Sequence, residues 1–157
     1  MAPSSWIWRR SRSLAGLSGR RRALLIEAAL WLLLARALLL VVPFRSLARR
    51  FGTFVAPSDL RTGVGHSDGG AGDAAVAREI GWAVTTAARH VPFQAVCLPQ
   101  AMAARMMLKR RGVPSVIHFG AAKGGDSLDT HAWLDAAGVE VTGFPVGGQF
   151  AEIGCFV

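Results

Sequence analysis

Residues 97–112 constrain this chain more than any other stretch: Cys-Leu-Pro-Gln-Ala-Met-Ala-Ala-Arg-Met-Met-Leu-Lys-Arg-Arg-Gly. The pattern predicts a helix. Pro99 fits its first turn, where backbone N–H groups have no intrahelical acceptor to lose. Lys109, Arg110 and Arg111 suit the negative end of the macrodipole, and Gly112 closes the segment. Cys97 therefore falls at the helix N-terminus, where unsatisfied N–H groups and the positive end of the dipole favour thiolate over thiol. Such a cysteine has the setting of a nucleophile, and the same placement also suits an inert core thiol that happens to begin a helix.

The residues beyond the helix decide between these readings. Residues 113–119, Val-Pro-Ser-Val-Ile-His-Phe, are β-branched, stop at Gly120 and predict a strand. Residues 123–127 have loop composition. Residues 129–135 and 139–142 predict two strands joined by a tight turn at Ala136-Ala137-Gly138. Period-two alternation places His131, Trp133 and Asp135 on one face and Ala132 and Leu134 on the other. An imidazole on a strand beside a helix-borne thiol makes the nucleophile–base pairing available.

These residues carry a family resemblance. Cys97-Leu98-Pro99-Gln100-Ala101, the helix ending Lys109-Arg110-Arg111-Gly112-Val113-Pro114, the strand to Gly120 and His131-Ala132-Trp133-Leu134-Asp135 with Gly138 resemble the transglutaminase-like peptidase domain of lasso-peptide B proteins, the microcin-processing family. The likeness runs from about residue 23 to the C-terminus. It implies an α+β fold with a papain-like or transglutaminase-like core, the nucleophile helix packed on a small antiparallel sheet. It further implies Cys97 as nucleophile and His131 as general base of a cysteine protease. In that family the enzyme removes the leader from a ribosomally made precursor before a partner cyclase closes the lasso ring.

The chain departs from that family at the group that orients the imidazole. Family members commonly carry an aspartate about a dozen residues after the histidine; here the stretch reads Val141-Thr142-Gly143-Phe144. A two- or three-residue hairpin loop would set Thr142 or Gly143 opposite His131. Asp135 lies roughly 13 Å along the same strand at about 3.3 Å per residue, out of hydrogen-bonding reach. Glu140 by a diagonal approach, Thr142 through its oxygen, or a backbone carbonyl remain as candidates. Gln94, three residues before Cys97, is a candidate oxyanion donor together with the Cys97 N–H, although a plain surface-loop glutamine is the preferred reading. His118 reads as structural, and His66 and His90 lack partner spacing. Two cysteines and four histidines show no ligand-pair pattern, so neither a metal nor another cofactor is expected, and Cys155 has no readable role.

Organisation follows from composition. At 157 residues one core suffices, and two cysteines make no disulfide scaffold, which suits a free thiol in a reducing cytoplasm. The net charge of +8 draws heavily on the first fifty residues, without a nucleic-acid-binding motif, so nucleic acid is not an expected partner. Residues 1–22 read as a basic, disordered arm. Residues 23–50 form an apolar helical region whose run 23–42 is long enough to span a bilayer. Glu27 and Arg36 inside that run disfavour insertion, so burial or partner binding is preferred over a membrane anchor. Residues 51–73 read as a connector and 74–157 as the peptidase core, opening with a helix over 74–89.

No strand-rich module precedes Cys97, so the chain resembles the stand-alone peptidase half of the family. That resemblance implies a precursor-peptide substrate, a separate leader-recognition protein and a lasso cyclase as partners. Two other readings share the same residues: a catalytically inert transglutaminase-like scaffold at the membrane, and an enzyme that transfers the acyl group to an amine.

Overall fold

A computed structural model describes residues 16–63, 70–124 and 127–157. The remainder of the basic arm, together with His66 and Asp126, lies outside the described residues. The elements are α1 (Gly19–Val41), α2 (Phe44–Ala48), β1 (Phe54–Val55), a 3-10 turn (Leu60–Thr62), α3 (Ala71–Ala88), α4 (Cys97–Lys109), β2 (Val116–Gly124), β3 (Ser127–Ala136), β4 (Val139–Thr142) and β5 (Ala151–Phe156). They make the α+β architecture expected of the sequence. The helices form two layers over an antiparallel sheet of order β1-β5-β2-β3-β4.

Helix α1 starts earlier than composition suggests. Ser18 caps it by accepting the Arg21 N–H at 3.4 Å, so Arg20, Arg21 and Arg22 are helical rather than part of a disordered arm. Arg20 pairs with Glu79 at 2.6 Å, and the Arg21 guanidinium lies 5.0 Å from the Trp82 ring, which fastens this turn to α3. Leu24, Ala28, Leu32 and Ala35 form a buried stripe along α1, which packs on α3 and α4. Glu27 receives Arg111 Nη2 at 2.7 Å and Nη1 at 3.1 Å. The charge that argued against membrane insertion is thus a tie to the end of α4.

Helices α3 and α4 form the layer between α1 and the sheet. Ile80, Val84, Met107 and Leu108 meet Ile117 and Leu134 in one buried core. At the end of α4, Gly112 adopts φ +73 and the Val113 N–H returns to the Leu108 carbonyl at 3.1 Å, which satisfies an orphan carbonyl and turns the chain into β2. Strands β3 and β4 join through Ala137 at φ 50 and Gly138 at φ 71, the tight hairpin expected at this place. Two strands escape the sequence reading. The short β1 lies within the presumed connector and pairs with β5, which inserts between β1 and β2.

Candidate functional site

Cys97 is the first residue of α4 and is half-buried, behind an extended Val96. One turn on, Gln100 Nε2 donates to the Ala95 carbonyl at 2.6 Å and holds the entry to the helix. His131 lies mid-strand in β3. Its Nε2 is 2.7 Å from the Gly143 carbonyl oxygen. A carbonyl only accepts, so Nε2 carries the proton and the lone pair of the neutral ring resides on Nδ1. The Trp133 and Phe150 rings lie 5.9 Å and 5.2 Å from the imidazole and restrict its rotation.

Cys97 and His131 line one cleft of about 410 Å³, with Thr85, Ala88 and Arg89 from the end of α3, Gln100, and the segment Gly143, Phe144 and Pro145. The fold thus brings the two sequence-predicted residues to one place. It does not bring the other candidates there. Gln94 is exposed and outside the cleft lining, because the chain from His90 to Val96 runs over the surface before α4 begins. Gln100, which the sequence offers only as part of the Cys97 motif and without a site role, lines the cleft instead; its spacing one helical turn after Cys97 was the available signal.

The partner that the structure gives the His131 imidazole is main chain, the Gly143 carbonyl. A bulge between Leu134 and Asp135 sets Thr142 opposite Leu134 and Glu140 opposite Asp135, so neither Thr142 nor Glu140 faces His131. Glu140 is exposed, while the buried Thr142 hydroxyl finds no partner among the described residues. Asp135 accepts from His118 Nε2 at 2.8 Å. Nor can an aspartate at position 143 supply the missing carboxylate. Gly143 has φ +82, and a Cβ there would stand 2.5 Å from the Ala132 oxygen and 2.8 Å from Trp133 Cα.

The histidines and cysteines that look scattered in sequence are not all scattered in space. His118 Nδ1 is 2.5 Å from Glu152 Oε1, and Cys155 Sγ lies 2.9 Å from that oxygen and 3.4 Å from Nδ1. Burial pulls the His118 imidazole down, but its hydrogen bonds to Asp135 and Glu152 and their charges outweigh this and raise it overall. Burial first, then Glu152, pushes the Cys155 thiol up, which favours the thiol over the thiolate. Trp133 stacks on His118 at 5.5 Å as well as on His131, lying over Gly120, where a Cβ would come within 2.8 Å of the indole. The two imidazoles therefore flank one indole.

A thiol at a helix start and a strand-borne imidazole opening into one cleft define a thiol–imidazole protein of transglutaminase-like architecture. The family model described as the Transglutaminase-like superfamily matches residues 38–154. This chain belongs to that superfamily, whose members are generally cysteine-based enzymes. No curated protein and no solved structure matches it.

Proposed function

We propose that this protein is a cysteine peptidase that cleaves the leader from a ribosomally synthesised lasso-peptide precursor before ring closure. The observation that carries the chemistry is the shared cleft of Cys97 and His131, with Nε2 committed to Gly143 and Nδ1 left basic. In the reaction Nδ1 takes the thiol proton as Sγ attacks the scissile carbonyl carbon. The tetrahedral oxyanion faces N–H groups at the α4 terminus, which have no intrahelical acceptors. The imidazolium then gives its proton to the departing amine, leaving a thioester. Water, deprotonated by the same Nδ1, hydrolyses the thioester and frees the thiol.

The choice of substrate rests on the resemblance of the Cys97-Leu98-Pro99 and His131-Ala132-Trp133 motifs to lasso-peptide B proteins. On this reading a separate leader-recognition protein presents the precursor and a cyclase takes the product. The test is to incubate purified protein with candidate precursor and recognition protein and weigh the products. Free leader is the expected result, abolished by Cys97→Ala in protein that remains folded. Retained cleavage in Cys97→Ala would end the proposal, and a cross-linked amide in place of free leader would assign the transferase reading instead.

A further inference from the structure

His118 and Cys155 are opposite one another across β2 and β5, and Glu152 is opposite Gly120. Alternation along β2 puts His118 and Gly120 on one face, and a one-residue bulge at Ile153 in β5 brings Glu152 to the same face as Cys155, so all three side chains share that face. Their donor atoms, one nitrogen, one sulfur and one carboxylate oxygen, lie within 4.8 Å of one another. We propose that His118 Nδ1, Glu152 Oε1 and Cys155 Sγ form a divalent-metal site of zinc type, separate from the Cys97 cleft.

Four features support it. The donor set is the mixed nitrogen, sulfur and oxygen set that zinc takes. Asp135 accepts the His118 Nε2–H at 2.8 Å, so the lone pair of the neutral ring falls on Nδ1, the atom beside Cys155 and Glu152. This carboxylate–imidazole arrangement is the usual support behind a metal-bound histidine. The ring is also held flat against Trp133, with an interplanar angle of 3°.

Spacing is the fourth feature. Bonds of about 2.0–2.3 Å in tetrahedral geometry separate ligand atoms by about 3.3–3.8 Å. Nδ1 and Sγ already stand 3.4 Å apart. Only the Glu152 carboxylate has to withdraw, by about an ångström on that geometry. It is the one ligand with room to do so, its side chain being 32% exposed against 5% for His118. That exposed side is also the entry path, and it leaves a fourth position for water. Binding exchanges protons for metal: the Cys155 thiol proton, and any proton on His118 Nδ1, go to solvent as the sulfur–metal and nitrogen–metal bonds form. The bound ion would tie β5 to β2 beside the indole that also flanks His131.

The experiment uses full-length Cys97→Ala protein, in which Cys155 is the sole thiol. After chelation and desalting, the protein is titrated with cobalt(II), reading the thiolate-to-cobalt charge-transfer band, and then with zinc in competition. One equivalent of cobalt should give the band and zinc should remove it. Cys155→Ser in this background should abolish the band. Asp135→Asn should weaken binding by about 10–100-fold, as loss of a supporting carboxylate does. Glu152→Gln, at the partly exposed ligand, should keep the band with weaker binding and keep the fold, so the site remains testable if Cys155→Ser does not fold. Absence of the band at millimolar cobalt, a band that survives in folded Cys155→Ser, or unchanged affinity in Glu152→Gln would overturn the site and leave a proton-linked cluster only. None of these readouts depends on peptidase activity, so the outcome is independent of the proposed function.

Discussion

His131 and Gly143 are joined side chain to main chain, Nε2 to carbonyl oxygen, at 2.7 Å. The contact depends on Gly143 having no side chain, since its φ of +82 and its approach to Ala132 and Trp133 leave no space for a Cβ. A carbonyl fixed this way sets the tautomer of the imidazole without adding a charge to the cleft.

Gly143→Ala should therefore act on the imidazole without touching the thiol. Strain at a left-handed non-glycine residue amounts to about 1–3 kcal/mol, and relieving it by moving the strand displaces the carbonyl. If that strain comes out of transition-state positioning, turnover falls by about 10–100-fold at tenfold per 1.4 kcal/mol. KM should change little, and iodoacetamide labelling of Cys97 at neutral pH should slow. Steady-state kinetics with a cleavable precursor, alongside mass spectrometry of the alkylated thiol, measure both effects. Wild-type kinetics in folded Gly143→Ala would mean that something else orients His131.

The parts of this arrangement that are legible in the sequence are those written locally. Pro99 and Gly112 bracket a helix by backbone chemistry alone, and Ala137-Gly138 marks the hairpin, so the residue order by itself places Cys97 at a helix start and His131 on a strand. The carbonyl of Gly143 could not be chosen from sequence, because a one-residue bulge at Leu134/Asp135 moves the register and every residue has a carbonyl. Strand β5 was hidden for a different reason. Ala151-Glu152-Ile153-Gly154-Cys155-Phe156 has a glycine at its centre and little β-branching, and only pairing with β1 and β2 makes it a strand. Cys155 and Glu152 meet His118 through that insertion alone, which is why thiol, carboxylate and imidazole look unrelated along the chain.

Thr142→Val separates the Thr142 hydroxyl from the imidazole. The hydroxyl is buried and finds no partner among the described residues, so an isosteric methyl removes a desolvated polar group at almost no change of volume. Stability should rise by about 1 kcal/mol, within the range for an unsatisfied buried group. Cleavage should be unaltered, because Thr142 faces Leu134 rather than His131. Denaturant unfolding measures the first effect, and a fall in turnover would restore Thr142 as an orienting group.

Glu27→Gln tests the tie between α1 and the end of α4. The Arg111 hydrogen bond, opposed by some desolvation and aided by the charges of Arg111 and Arg110, lowers the Glu27 carboxyl below its ordinary range. A group whose folded value is lowered stabilises the fold above its unfolded value, and that contribution is lost as pH falls through the folded value. The variant should lose about 0.5–1 kcal/mol at about pH 7, as expected of a partly exposed pair engaged by two arginines. The gap from wild type should narrow at an acid pH below the folded value, where the wild-type carboxyl is itself protonated. Urea unfolding at the two pH values checks the sign, and a gap that widens in acid would contradict this account of the pair.

Helix α1 is long and apolar enough to cross a bilayer, and Ile26, Leu30, Leu33 and Leu40 along it are exposed. Yet Leu24, Ala28, Leu32 and Ala35 are committed to the core, and Glu27 is committed to Arg111. Insertion would have to withdraw that stripe from α3 and α4 and carry Glu27 and Arg36 into lipid, at about 2.5–3.5 kcal/mol for a central charge. The docked helix should therefore be extractable by carbonate from any membrane fraction in which the protein is found. Leu32→Ala, which empties a fully buried position, should destabilise the purified domain by about 2–5 kcal/mol. Leu30→Ala, on the exposed side of the same helix, should cost about 0.5 kcal/mol or less. Resistance to carbonate combined with equal stability of the two variants would place the helix in the bilayer, and the contrast between Leu32 and Leu30 is the part of the result that a membrane-spanning helix could not reproduce.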